Sequence, residues 1–466
     1  MIKSYILQSI ILFTKGCARK KFSVKKILPA GIWAHMLSGI FMMRLSAPIL
    51  CCVCCLSAAK TFSADVTQWR GNERNGIYNE SGLLKEWPED GPRLLWHAEG
   101  IGLGYSGPAV VGDNIFITGT TDDKKREFLT VLNRKGETLW SVEYGNAWPK
   151  SYQDSRTMPT VVGDSVYVAS GEGQIACVDS KTRKIKWSVD AIKEFGGDPQ
   201  PFGYSENLLV ENGKVFFTPG GKKTAVVALD AETGGTVWQS AALGVPSSFL
   251  SPIAGDFEGR RMLFAAVDSN FLGVDAETGE ILWKVFLERF DEIGNPPKDF
   301  WDTMTSSPIY RDGKVFVANG YNCGAVQIAV SKGGRGAEIA WKNPKFDMHH
   351  GGVVLLGGKL YGSNWINNEK GTWMCVDWNT GETLYDEAWP RHQKGAIVYA
   401  DGMFYILEES RGEIAISKPG DKFEITSSAK LRHGKGRNWC HPVICDGVMY
   451  VRRGKSLTAY DVKNNR

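Results

Sequence analysis

The chain has 466 residues, with 53 glycines, 16 tryptophans and 11% aromatic residues. It is too long for one ordinary hydrophobic core and suits a unit that grows by repeating short strands and tight turns. The formal net charge of +4 resides in the first 64 residues, which hold nine Lys/Arg and no Asp or Glu; the remainder carries 46 basic against 51 acidic residues, which excludes a broad basic surface for nucleic acid.

Residues 1–64 are expected to be a leader. Met42-Met43-Arg44 followed by the apolar run Leu45–Ala59 has the basic start, apolar centre and small-residue end of a secretory signal. Translation is expected to begin at Met42 or Met43, with cleavage after Ala59 or Ala64 and residues 1–41 an upstream extension. The apolar run, about fifteen residues, falls short of the ~20 needed for a membrane-spanning helix, so no span is expected after signal removal. Five of the ten cysteines lie in this leader. The other five, Cys177, Cys323, Cys375, Cys440 and Cys445, have no CxxC spacing and read as core thiols, not as a zinc site or a disulfide framework.

After an N-terminal extension over 65–93, one unit recurs through 94–466. It consists of small-Pro-hydrophobic, a turn, an alternating strand, a loop, a strand ending in Asp, a Thr-Gly turn, and Trp. SPIAGDFEGRRMLFAAVDSNFLGVDAETGEILW (251–283) and LLVENGKVFFTPGGKKTAVVALDAETGGTVW (208–238) are clear copies; others begin at Gly107, Met158, Ser307, Gly352, Ala396 and Pro442. Gly163-Asp164, Asn212-Gly213, Asp312-Gly313, Asp401-Gly402 and Asp446-Gly447 supply residues tolerant of positive φ between the first two strands of a unit. Alternation, as in Val166-Tyr167-Val168, gives each strand two faces for two neighbouring sheets.

The closing aromatic recurs at Trp140, Trp187, Trp238, Trp283, Trp341 and Tyr385, with Phe423 a degenerate seventh. Periodic placement makes these rings anchors between sheets, not ligand stacks. The last unit, 442–464, stops after three strands without its tryptophan, whereas Leu94-Leu95-Trp96-His97 is a closing strand with no unit before it. The fold expected is therefore all-β: an eight-bladed β-propeller of four-stranded antiparallel blades, with Trp96 and its strand completing the last blade.

In a propeller, the segments joining one blade to the next converge on the mouth of the central channel. Here they nominate Tyr105, Arg156, Tyr204, Glu206, Thr305, His350, His392, Lys394, Trp439 and His441 as ligand-binding residues. Arg156 and Lys394 suit an anionic ligand, and Tyr105, Tyr204 and Trp439 offer stacking surfaces; a solvated rim with local ion pairs to Asp154 or Glu206 is the competing reading. His349, His350, His392, His433 and His441 cluster in the last junctions. Without HxH or HExxH spacing no metal site is expected.

The ALDAETG-x-x-x-W element at 228–238 and its counterpart at 274–283 resemble the tryptophan-docking repeat of the pyrroloquinoline-quinone (PQQ) propellers. The opening TQWRGNERNGIYNESGLLKEWPEDGPRLLW (67–96) resembles the start of secreted PQQ-like propellers. The resemblance implies the fold. For activity it implies either a PQQ-dependent alcohol or sugar dehydrogenase, with PQQ and calcium as cofactors, or a non-enzymatic scaffold of the outer-membrane assembly kind. The adjacent cysteines that many such dehydrogenases place beside the quinone occur here only in the leader, at Cys51-Cys52 and Cys54-Cys55. The expectation is therefore an exported, periplasmic or secreted monomer that binds a small polar ligand, a glycan or an envelope protein at its mouth.

Overall fold

In a computed structural model, residues 65–287, 303–321 and 323–464 are described; the leader, with Met42 and Met43, lies outside them. Eight antiparallel sheets follow one another along the chain. Blades 1 to 7 span 109–146, 160–190, 209–239, 253–286, 309–343, 353–387 and 395–430, each with four strands in sequence order. Blade 8 takes three strands from Val443–Cys445, Val448–Arg453 and Ser456–Asp461, and its outer strand from Arg93–Ala98. Trp96 lies opposite Ala459 and His97 opposite Thr458, so the ring closes as its sequence implies. The turn residues Asn212, Asp312, Asp401 and Asp446 all adopt positive φ. The one helix among the described residues is the short Ala191–Phe195.

Strand alternation divides the core into layers between blades. In blade 2, Val166 and Val168 pack toward blade 1, and Tyr167 and Ala169 toward blade 3. The five body cysteines are buried free thiols.

Four of the recurring tryptophans reach one blade forward, whereas Trp283 Nε1 has no hydrogen-bond partner among the described residues. Trp187 Nε1 donates to Ala231 O at 2.9 Å, Trp238 Nε1 to Ala276 O at 3.1 Å, Trp341 Nε1 to Trp378 O at 2.9 Å, and Trp96 Nε1 to Arg134 O at 2.7 Å. The indole lies flat on the next blade's Thr-Gly turn. At Gly234, with φ +73°, an added Cβ would sit 2.7 Å from the Trp187 ring, so this turn needs glycine for clearance as well as for backbone angle. Trp140, Trp283 and Tyr385 hold equivalent register positions.

Blade 7 departs from this pattern. Phe423 is not its anchor: it stacks on Trp373 of blade 6 at 5.0 Å. The register position matching the tryptophans is Ser427, opposite Ile416 and Tyr405. The missing ring comes from the N-terminal extension. Trp87 is buried against Tyr405, its Nε1 donates to Ile414 O at 3.1 Å, and its backbone N–H donates to Ser427 Oγ at 2.6 Å.

Upstream of Trp87 the chain runs across the central channel. Val66 bridges to Val110 of blade 1, Thr67 O accepts from Val161 N of blade 2, and Ile77–Tyr78 add a parallel strand to the inner edge of blade 7. Two buried arginines fix this strap. Arg70 donates to Val353 O and Ile397 O of blades 6 and 7, and Arg74 to Asn207 O and Leu208 O beside blade 3 at 2.7 and 3.1 Å. Burial lowers both guanidinium pKa values to about 10, so both remain charged and the carbonyls they meet take the place of water. Gly352 allows the close approach: a Cβ there would lie 1.9 Å from Arg70 Nη1.

Candidate functional site

On one side of the strap the blade junctions enclose a cup of about 720 Å³. All eight junctions contribute to its wall, and the strap contributes Trp69. On the other side a smaller cavity of about 330 Å³ lies between Glu73–Asn75 and the inner strands of blades 4 and 5. Strap residues thus line both cavities, Trp69 the cup and Glu73–Asn75 the smaller one.

Of the residues nominated from sequence, Tyr105, Arg156, Thr305, His350, Lys394, Trp439 and His441 line the cup. Three do not. Tyr204 is buried between blades, its ring tilted against Phe217 at 5.0 Å and its hydroxyl donating to Pro219 O at 2.8 Å. Glu206 is buried with Oε2 accepting from Thr218 N at 3.0 Å. In this extended junction alternate residues face opposite ways: Ser205 and Asn207 line the cup, and Tyr204 and Glu206 turn from it. His392 stacks on Trp389 at 3.9 Å and pairs with Glu413 at 3.1 Å, away from the cup. The histidine cluster is therefore three rings, not five, because His433 stacks on His97 of the outer strand.

Aromatic rings form most of a belt. Phe249, Phe202, Tyr152, Trp439 and His350 follow one another with centroid separations of 5.9, 5.4, 5.7 and 5.1 Å. His350 then meets His349, which packs against Tyr321 and Trp365. Sequence reasoning missed Trp69, Glu409, Tyr321, Trp365 and Arg437. None carries a motif, and several reach the cup from hairpins within blades.

Among the described residues, Glu409 is the one carboxylate in the lining. It pairs with buried Lys394 and, at 3.1 Å, with His350 Nε2. Burial would raise its pKa, but His350 and Lys394 outweigh burial and hold it at about 2. Because this value lies below the unfolded one of 4.5, the pair stabilises the protein fully above about pH 4.5, and that contribution is lost as pH falls toward 2. Glu409→Gln should flatten this acid limb by about 2 kcal/mol, read from denaturant unfolding between pH 2.5 and 6; an unchanged limb would contradict the pairing.

His441 is held neutral at about pKa 3, by burial first and by Arg70 second. Its Nε2 lies 2.7 Å from His350 O and its Nδ1 3.0 Å from Arg70 Nη1, which assigns the proton to Nε2 and the lone pair to Nδ1. His349 and His350 face each other through Nδ1 at 2.7 Å, and burial pushes the His349 pKa well below 6.5. Its Nε2 is buried and has no hydrogen-bond partner among the described residues. With His350 neutral and donating to Glu409, His349 donates through Nδ1 and offers Nε2 as an acceptor. With His350 cationic, the tautomer reverses and Nε2 becomes a donor.

The family model described as "Outer membrane protein assembly factor BamB" matches residues 125–387. The chain belongs to the BamB family of PQQ-repeat propellers. A BamB from Moranella endobia is 31% identical over 90 residues, 19% of this chain and 20% of that protein. A polyvinylalcohol dehydrogenase from a Pseudomonas species is 25% identical over 202 residues, 37% of this chain and 30% of that protein. The chain thus spans less than a third of the length of these two curated relatives. Among solved structures, BamB from Moraxella catarrhalis superposes with a TM-score of 0.56 at 14% identity, covering 79% of this chain and 99% of the other. A europium-containing methanol dehydrogenase gives 0.56 at 13% identity, covering 84% and 90%. At these identities the structural likeness establishes the BamB-type fold alone.

Among the described residues, the donor set of this cup does not suit a calcium-bound quinone. Calcium takes six to eight oxygen ligands, commonly several carboxylates. Here the two oxygens of Glu409, the one lining carboxylate among the described residues, are taken by His350 and Lys394. Among the described residues no three His, Cys, Asp or Glu side chains are grouped to hold a metal.

Proposed function

We propose that this protein is an exported scaffold of the cell envelope whose cup binds a small polar ligand, a glycan or a segment of an envelope protein. The observation that carries the reading is the cup itself: an aromatic wall to which the strap adds Trp69 and, among the described residues, one lining carboxylate committed to Lys394 and His350. Such a site has recognition surface on every side. The acid-free leader over 1–64 supports export, and no helix among the described residues is long and apolar enough to cross a membrane.

The similarity to a polyvinylalcohol dehydrogenase favours a second reading, a PQQ-linked alcohol or sugar dehydrogenase. Titrating the purified protein with PQQ, with and without calcium, while following visible absorbance and dye reduction across alcohols and sugars, separates the two. The scaffold reading expects neither saturable quinone binding nor turnover. Dye reduction that depends on PQQ and is lost in Arg156→Ala or Lys394→Ala would overturn it.

A further inference from the structure

We propose that the cup's ligand is an acidic sugar unit, a pyranose bearing a carboxylate or a sulfate ester. This rests on the reading of the cup as a binding site and names its occupant. Arg437 is the first ground. Its guanidinium lies over the Trp439 ring at 4.4 Å and the Tyr152 ring at 5.1 Å, and has no hydrogen-bond or ion-pair partner among the described residues. Cation–π contact with two rings holds the group beside the wall while its N–H donors meet no acceptor among the described residues, an arrangement suited to a planar or tetrahedral oxyanion.

The charge balance agrees. Among the described residues, Arg156, Lys394, Arg437 and Arg453 line the cup with Glu409 as the one acidic side chain in the lining; Glu409 is matched by Lys394 and His350, and Arg156 has Glu127 and Asp154 nearby. The surplus is cationic.

The wall chemistry points to a sugar. A pyranose presents an apolar C–H face bordered by hydroxyls, and needs rings interleaved with amides and hydroxyls. The cup sets Asn207, Ser251, Ser307, Asn368 and Gln393 among its aromatic side chains. His349 Nε2, buried and without a partner among the described residues, offers a contact to one hydroxyl, as acceptor or donor according to the tautomer it adopts against His350. Leaving such a group unmet costs about 1–3 kcal/mol, so a ligand that meets it is favoured. A protein segment would instead seek an open strand edge or a long apolar groove. On blade 7 the inner edge is already taken by Ile77–Tyr78.

Calorimetry and tryptophan fluorescence with three oligosaccharide probes test the proposal: an oligogalacturonate, its carboxyl-reduced neutral counterpart and a sulfated oligosaccharide of equal length. Acidic tripeptides form a fourth arm. The expected result is saturable, salt-sensitive binding of the oligogalacturonate or the sulfated sugar, weakened about tenfold or more by carboxyl reduction or by Arg437→Ala and partly restored by Arg437→Lys. Arg437 is exposed, so these variants should fold. The carboxylate and sulfate arms identify which anion is preferred. Equal binding of the neutral sugar would overturn the acidic component. Binding of tripeptides but no sugar would overturn the proposal and leave the cup as a binding site; no binding in any arm would overturn both. A His349→Gln protein that binds acidic and neutral sugars as the unaltered protein does would remove the hydroxyl contact and, with it, one support for a sugar.

Discussion

Trp87→Ala should lower the unfolding free energy by about 3–5 kcal/mol, the range for removing a buried indole. The change removes an aromatic body packed on Tyr405 and the donor to Ile414 O, while the backbone bond to Ser427 Oγ is kept. Because the ring belongs to the strap and its docking surface to blade 7, hydrogen exchange should accelerate in 403–430 while blades 2 to 4 keep their protection. Phe423→Ala, at a half-buried ring stacked on Trp373, should cost only about 1–2 kcal/mol. If the two substitutions proved equal in denaturant titrations, Trp87 would not be the anchor of blade 7.

The second large effect concerns Glu206. Its carboxyl is buried, Oε1 has no partner, and burial raises its pKa to about 8 despite hydrogen bonds from Thr218 and the charge of Arg74. The folded state therefore holds a proton that the unfolded state releases near 4.5, so stability should fall as pH rises from about 4.5 to 8 and level off above. Glu206→Gln removes that proton equilibrium. It should abolish this part of the pH slope and leave the variant more stable than the parent at pH 8.5 by on the order of 3 kcal/mol. Parallel slopes for the two proteins across pH 5–8.5 would show that Glu206 ionises freely in the folded state.

The repeat was legible because each unit carries its own punctuation. Asn212-Gly213, Thr233-Gly234 and Trp238 lie within one blade, and local spacing alone assigns them a turn, a clearance and an anchor. The seam was legible for a related reason: Trp96 is an anchor without a unit, and 442–464 a unit without an anchor. The strap was not legible. Arg70 and Arg74 look like solvent-exposed charges, and only the carbonyls presented by the inner strands make their burial tolerable. Trp87 was equally silent, since it serves Ser427, 340 residues away. At the cup, junction segments could be named, but not which of their side chains turn inward. Tyr204 and Glu206 lost to Ser205 and Asn207 because backbone alternation, not residue chemistry, sets direction.

The pairing of Arg93–Ala98 with Ser456–Asp461 has a consequence for how the molecule is made. An emerging chain can assemble blades 1 to 6 in order, each resting on the one before. Blade 8 needs a strand synthesised at the outset and three that arrive more than 340 residues later. Until then one flank of blade 1 and the lone strand stay uncovered. Maturation should therefore end in a late, long-range docking event, and a chain halted before Ser456 should present a sticky, protease-sensitive flank instead of a slightly shorter ring.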